Sequence, residues 1–168
     1  MEYRIATSKE VAKQFDYLID IHEGKEKEMW KLWKENSVEQ IKRGSVIPYY
    51  GFIGDEAICE AYAVIDTKYY KLNGDIYLRL IDGSTAYLKA FRTRKEYRDR
   101  GYFSGLFRFM IDDLKKRGYK HVTIGVDHEE TKNKSIYKHW KFTEFIGREH
   151  EIWTDSSEHL VEYYLKDL

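Results

Sequence analysis

Thr85-Ala86-Tyr87-Leu88-Lys89-Ala90-Phe91-Arg92-Thr93 runs into Arg94-Lys95-Glu96-Tyr97-Arg98-Asp99-Arg100-Gly101, and then into Tyr102-Phe103-Ser104-Gly105-Leu106-Phe107. The first segment reads as a strand over 85–93. After the turn, Leu106, Phe107, Met110, Ile111 and Leu114 recur on one helix face. Lys115-Lys116-Arg117 complement the negative end of that helix, and Gly118 supplies the stop. A helix start offers N–H groups without intrahelical acceptors and about half a positive charge, which suits a phosphate. Gly101 permits close backbone approach, and Arg98 and Arg100 add charge-assisted donors. The turn is neither a Walker A loop nor a dinucleotide Gly-x-Gly-x-x-Gly. Taken by itself, an Arg-rich turn capping a helix serves structure as readily as ligand binding.

Around this segment, 168 residues with 42% apolar content suffice for one core and not for two ordinary ones, so a single domain over 1–168 is expected. No apolar run approaches the roughly 20 residues of a membrane helix. The start Met1-Glu2-Tyr3-Arg4-Ile5 lacks the apolar core of a signal peptide, so a cytoplasmic protein without a membrane partner is expected. The one cysteine, Cys59, sits between Ile58 and Ala61 and reads as a small packed residue before a nucleophile. Formal net charge is zero, which argues against binding nucleic acid through bulk electrostatics. Residues 89–120 nevertheless carry eleven basic and four acidic side chains. Such a block is either a solvated face or the seat of a compact polyanion.

Along the chain, a short strand over 3–6 precedes Thr7-Ser8-Lys9-Glu10, a capping-box pattern. Val11, Phe15 and Leu18 mark a first helix, and Gly24 separates it from a second carrying Trp30, Trp33, Val38 and Ile41. Strands over 49–53 and 58–65 flank the turn Gly54-Asp55. Asn73-Gly74 signals another hairpin, between 70–72 and 76–80. Val122, Ile124 and Val126 alternate as a strand, and a short helix over 132–139 comes next. Two final strands over 142–153 and 159–166 turn at Asp155-Ser156-Ser157. This order is mixed α+β.

Tyr97-Arg98-Asp99-Arg100-Gly101-Tyr102-Phe103 resembles the Arg/Gln-x-x-Gly-x-Gly/Ala signature of the GNAT (GCN5-related N-acetyltransferase) superfamily, and it stands between a strand and a long helix as in that family. Tyr137-Lys138-His139-Trp140-Lys141-Phe142 is similar to its Tyr-x-x-x-Gly-Phe. Phe103 stands where the family has Gly or Ala, Lys141 where it has Gly, and Glu130 where it often has Asn, with Asn133 four positions before Tyr137 instead. The resemblance implies a three-layer fold with a central, mostly antiparallel twisted sheet of about six or seven strands flanked by about four helices. It implies acetyl-CoA, or coenzyme A, as cofactor and an N-acetyltransferase acting by direct attack of an amine.

On that basis the cofactor residues expected are Phe91, Arg92 and Thr93 on the strand, Arg98, Asp99, Arg100, Gly101, Tyr102, Phe103 and Ser104 in the loop, and Asn133 beyond. Thioester aminolysis needs a neutral amine, a stabilised oxyanion and a protonated leaving group. The N–H of Phe91 is the implied oxyanion donor. Tyr137 matches the family's general acid, and a phenol with an unperturbed pKa of roughly 10 is protonated at neutral pH. A core tyrosine accounts for Tyr137 as well. Glu60, a carboxylate inside an apolar strand, is a candidate base, and an edge-facing or solvent-facing glutamate accounts for it equally. At least one of Arg92 and Arg94 is expected in an outward salt bridge. Asp127-His128-Glu129-Glu130 is rich in ligand atoms, but it reads as a solvated loop and helix start, and no metal is expected.

The acceptor is a small-molecule or peptide amine, with the acidic remainder of the chain favouring a cationic one. Trp30, Trp33, Tyr49, Tyr50 and Trp153 can wall its site or simply pack. An exposed final strand offers an edge for a homodimer. Two other functions fit the same residues: an acyl-CoA binding or sensing module without catalysis, and an interaction domain meeting an acidic partner through residues 89–120.

Overall fold

The protein is described by a computed structural model at residues 1–66, 80–153 and 156–168. The Asn73-Gly74 hairpin expectation lies outside the described residues, as does Asp155 of the expected final turn. The strands among the described residues are β1 (Glu2–Ile5), β2 (Val46–Ile53), β3 (Glu56–Val64), β4 (Thr85–Thr93), β5 (His121–Asp127), β6 (Glu144–Ile152) and β7 (Glu158–Asp167). They form a seven-stranded, mostly antiparallel sheet in the order β1-β2-β3-β4-β5-β7-β6. The α-helices among the described residues are α1 (Ser8–Asp20), α2 (Gly24–Lys42), α3 (Tyr102–Lys116) and α4 (Thr131–His139). This is the mixed α+β architecture expected. No helix among the described residues is long and apolar enough to cross a membrane.

The chain divides into two compact units, Met1–Ala63 with Ala90–Asp112, and Val64–Lys89 with Asp113–Leu168. In the first, β1 pairs antiparallel with β2, from Glu2↔Phe52 to Ile5↔Tyr49. The capping box forms as expected: Thr7 Oγ1 accepts from the Glu10 N–H at 3.3 Å, and Glu10 Oε2 accepts from the Thr7 N–H at 2.8 Å. Val11 and Phe15 bury the inner face of α1, whereas no residue of α2 is fully buried. Phe15 instead meets Trp30, which packs edge-on against Trp33 at 4.9 Å. The core here is built on Tyr49, Tyr50, Ile58, Leu106 and Met110. Gly105 lets α3 approach β1, since a Cβ there would stand 2.2 Å from Tyr3 Oη, which donates to the Tyr102 carbonyl at 3.0 Å.

In the second unit β4 and β5 run parallel from Thr85↔His121 to Leu88↔Ile124. β7 pairs antiparallel with both β5 and β6, so the expectation that the final strand is an exposed edge for a homodimer is corrected: β6 stands at the edge and covers it. Helix ends in both units share one device. Past α2, Ser45 N–H donates to the Gln40 carbonyl at 3.0 Å, with Gly44 at φ +75°; past α3, Tyr119 N–H donates to the Leu114 carbonyl at 3.1 Å, with Gly118 at φ +93°. These are Schellman caps, which place one residue in the left-handed region. At the end of α4 the same pattern closes with Lys141 at φ +69°: its N–H donates to the Lys138 carbonyl, and that of Phe142 to the Tyr137 carbonyl, both at 3.0 Å. The expected strand start at Phe142 is therefore corrected to Glu144, because Phe142 is spent on the cap.

Candidate active site

Ala90, two residues past the last parallel pair of β4 with β5, has φ +55°, a left-handed turn inside a strand. Such a residue breaks the alternation of the pleat and re-aims the side chains beyond it. Arg94 N–H still donates to the Ile58 carbonyl at 2.9 Å, and a single 3-10 turn over Lys95–Tyr97 then leads to the basic loop. Asp99 (φ +60°) and Gly101 (φ +76°) are both left-handed. Aspartate tolerates this region better than most residues, and at Gly101 any side chain would be strained although the space around it is open. Arg98 Nε donates to the Thr93 carbonyl at 3.1 Å, tying the loop back to the strand end. Arg98, Asp99, Arg100 and Gly101 are exposed.

α3 begins at Tyr102, and helical geometry aims the N–H groups of its first turn along the axis toward this loop. Phe103 lies inside that turn with a helical backbone. Its ring packs on Phe91 with centroids 5.0 Å apart. The large side chain thus leaves toward β4, and the substitution of the family's small residue does not redirect the main chain. Left-handed turns, two guanidinium groups and a helix N-terminus suit a pyrophosphate.

A second group of residues lies in the same unit. Glu60 on β3 is 2% exposed, so the solvent-facing reading is corrected. Arg92 Nε donates to Glu60 Oε1, while Tyr62 Oη donates to Oε2 at 3.1 Å and shares a hydrogen bond of 2.5 Å with Tyr50 Oη. The Arg92 guanidinium stands over Trp30 at 5.0 Å. Burial, then the Glu60 charge, pushes the Tyr50 and Tyr62 phenols well above the usual range, so both keep their protons. Arg94 pairs with the exposed Glu56 and reaches Gln14 Oε1 at 3.1 Å, but its own side chain is only 11% exposed and more covered than that of Arg92, so the outward-facing expectation is corrected. Of the aromatic residues considered for an acceptor wall, Tyr49 and Tyr50 are wholly core, and Trp153 is 45% exposed. Cys59 is buried and its thiol is pushed up to about 12, consistent with packing.

Tyr137 and Asn133 belong to the second unit. Tyr137 packs between Trp140 and Phe142, with centroids 6.3 and 6.1 Å away, and burial pushes its phenol up to about 12. Asn133 Nδ2 donates to Glu130 Oε2 at 3.1 Å within the start of its own helix. The ligand-rich run 127–130 is divided among separate partners. Asp127 pairs with His159 Nδ1, whose Nε2 lies 2.7 Å from Ser157 Oγ, and Trp153 stacks on the imidazole at 3.6 Å. His128 and Lys134 meet Glu162 at 2.8 and 2.7 Å. Reading along the chain offered no signal for these alignments, since their members come from separate strands and helices.

The sequence matches the Acetyltransferase (GNAT) family over residues 17–142. No curated protein matches it at a significant level. Among solved structures, the fold is similar to the ribosomal-protein-alanine N-acetyltransferase of Brucella melitensis, with TM-score 0.66, 13% identity and 100% of both chains covered. It is similar to the PaiA N-acetyltransferase of Thermoplasma acidophilum in complex with coenzyme A, with TM-score 0.61, 13% identity and 99% and 98% of the two chains covered. A GNAT family acetyltransferase of Elizabethkingia anophelis with acetyl-CoA bound shares 17% identity over 77% of this chain and 82% of its own, with TM-score 0.56. At such identities the likeness is one of fold.

Proposed function

The chain belongs to the GNAT acetyltransferase family, with acetyl-CoA as its cofactor, and from that premise we propose that it acetylates a primary amine of a small molecule or peptide by direct attack in a ternary complex. One observation carries the reading: β4 leads through the left-handed residues Asp99 and Gly101 straight into the N-terminus of α3. Arg98, Asp99, Arg100, Gly101, Tyr102, Phe103 and Ser104 hold the pyrophosphate, the main chain supplying N–H groups and the two arginines charge. Acetyl-CoA supplies an acyl group as a thioester, already activated toward an amine.

Main-chain groups of Phe91, Arg92 and Thr93 align the pantetheine, and the Phe91 N–H donates to the acyl oxygen as negative charge develops there. Tyr137 keeps its proton at Oη and presents it to the departing sulfur. With its phenol pushed up to about 12, Tyr137 acts chiefly by hydrogen-bond donation, and the net proton comes from the attacking nitrogen. Glu60, whose two oxygens already accept from Arg92 and Tyr62, positions Arg92 and leaves amine deprotonation to water. Asn133 fixes the start of α4 through Glu130.

Thermal unfolding with coenzyme A and acetyl-CoA, joined to a thiol-release assay over an amine panel, tests the proposal. A saturable rise in Tm and amine-dependent thiol release are expected. An unmoved Tm at millimolar cofactor would remove the cofactor site, and binding without turnover on any amine would leave a sensing module instead.

A further inference from the structure

Arg92 has more donor capacity than the fold uses. A guanidinium presents five N–H donors in a planar fork. A structural arginine–carboxylate pair commonly engages both oxygens with two parallel N–H groups. Here Glu60 takes Nε through Oε1, while Oε2 accepts from Tyr62 Oη. Among the described residues neither Nη atom of Arg92 has a hydrogen-bond acceptor, and neither is sealed from solvent. The side chain is 32% exposed, while its partner Glu60 is 2% exposed. Trp30 and Phe15, at 5.0 and 6.0 Å, hold the guanidinium by its face. Burial works against the charge of Arg92, but Glu60 foremost, with the Tyr62 and Tyr50 groups beside it, outweighs burial and holds its pKa above the ordinary arginine value.

A cationic fork fixed on one edge and one face, with its outer donors open, is preorganised for a flat two-oxygen anion. It sits one residue along β4 from Phe91, the proposed donor to the acyl oxygen. We infer that Arg92 binds a carboxylate of the acceptor, so that the acceptor is an amino acid and not a simple amine or polyamine. The inference rests on the acetyltransferase reading for the placement of the amine, and it replaces the cationic acceptor favoured by overall charge. Glu60, Tyr62 and Tyr50 are positioning residues for that fork.

Ligand pairs that differ only at the carboxylate test this without altering the protein: phenylalanine against phenethylamine and phenylalaninamide, and tyrosine against tyramine. Binding to the full chain is measured by calorimetry with and without coenzyme A, and kcat and KM by thiol release. The carboxylated member of each pair is expected to bind at least tenfold more tightly and to show the lower KM. Arg92→Lys, which keeps charge but loses the fork, is expected to cut that preference at least fivefold, mainly through KM. Equal or tighter binding of the decarboxylated or amide member would overturn the inference. So would an unchanged preference in folded Arg92→Lys. Failure of coenzyme A to bind would strike the acetyltransferase reading alone, because the carboxylate preference is read by calorimetry without it.

Discussion

The ring of Phe103 rests on the ring of Phe91, centroids 5.0 Å apart and planes inclined at 48°, so the first turn of α3 is clasped to the end of β4. Phe103 therefore contributes a side-chain contact where the family resemblance calls for a small residue, and its main chain remains helical. Phe103→Ala should lower the stability of the unliganded protein by about 1–3 kcal/mol through lost aromatic packing. Coenzyme A affinity of the folded variant should change less than threefold, since the N–H is kept. Thermal denaturation and calorimetry measure the two effects separately, and a tenfold loss of affinity would mean that the cofactor uses the ring.

Lys141 occupies the left-handed position of a Schellman cap that Gly44 and Gly118 fill elsewhere in the chain. A side chain in this region costs about 1 kcal/mol relative to glycine. Lys141→Gly should raise stability by roughly that amount, which for a chain of this size is a Tm increase of about 2–4 °C. A lower Tm would show that the lysine side chain supplies compensating contacts.

Tyr137 stays protonated far above neutrality, because burial pushes its phenol up to about 12. The rate should therefore show no alkaline fall from this group below about pH 11. Tyr137→Phe should reduce kcat about 10–100-fold with coenzyme A affinity nearly unchanged. An alkaline limb near pH 9 that vanishes in Tyr137→Phe would contradict this assignment.

Glu162 is buried on β7, and its carboxyl is lowered from 4.5 to about 2, chiefly by hydrogen bonding from Lys134, with His128 and Tyr164 adding to it against the opposing effect of burial. A folded pKa below the unfolded one stabilises above the unfolded value, and that contribution is lost as pH falls toward the folded one. The window is about pH 5 to 2, and the contribution at neutral pH is about 3 kcal/mol. Glu10, held down to about 2 mainly by Arg4, titrates in the same window. The difference between wild type and Glu162→Gln isolates Glu162. That difference should be largest at pH 7 and close toward pH 2 in chemical denaturation, and a constant difference would refute the linkage.

The features legible along the chain are local ones. The Thr7–Glu10 box, the stripe from Leu106 to Leu114, the stop at Gly118 and the passage from strand to basic loop to helix all involve partners within about four residues. Backbone geometry alone brings such partners together, so residue type at fixed spacing suffices to read them. Spacing predicts a strand from Phe142 because a lysine in a left-handed cap carries no signal of its own. That Glu60 faces Arg92 and Tyr62, that His159 meets Asp127, and that β7 lies between β5 and β6 emerges only in the folded chain. Those pairings depend on strand order and register, where a shift of one residue would turn every side chain to the opposite face.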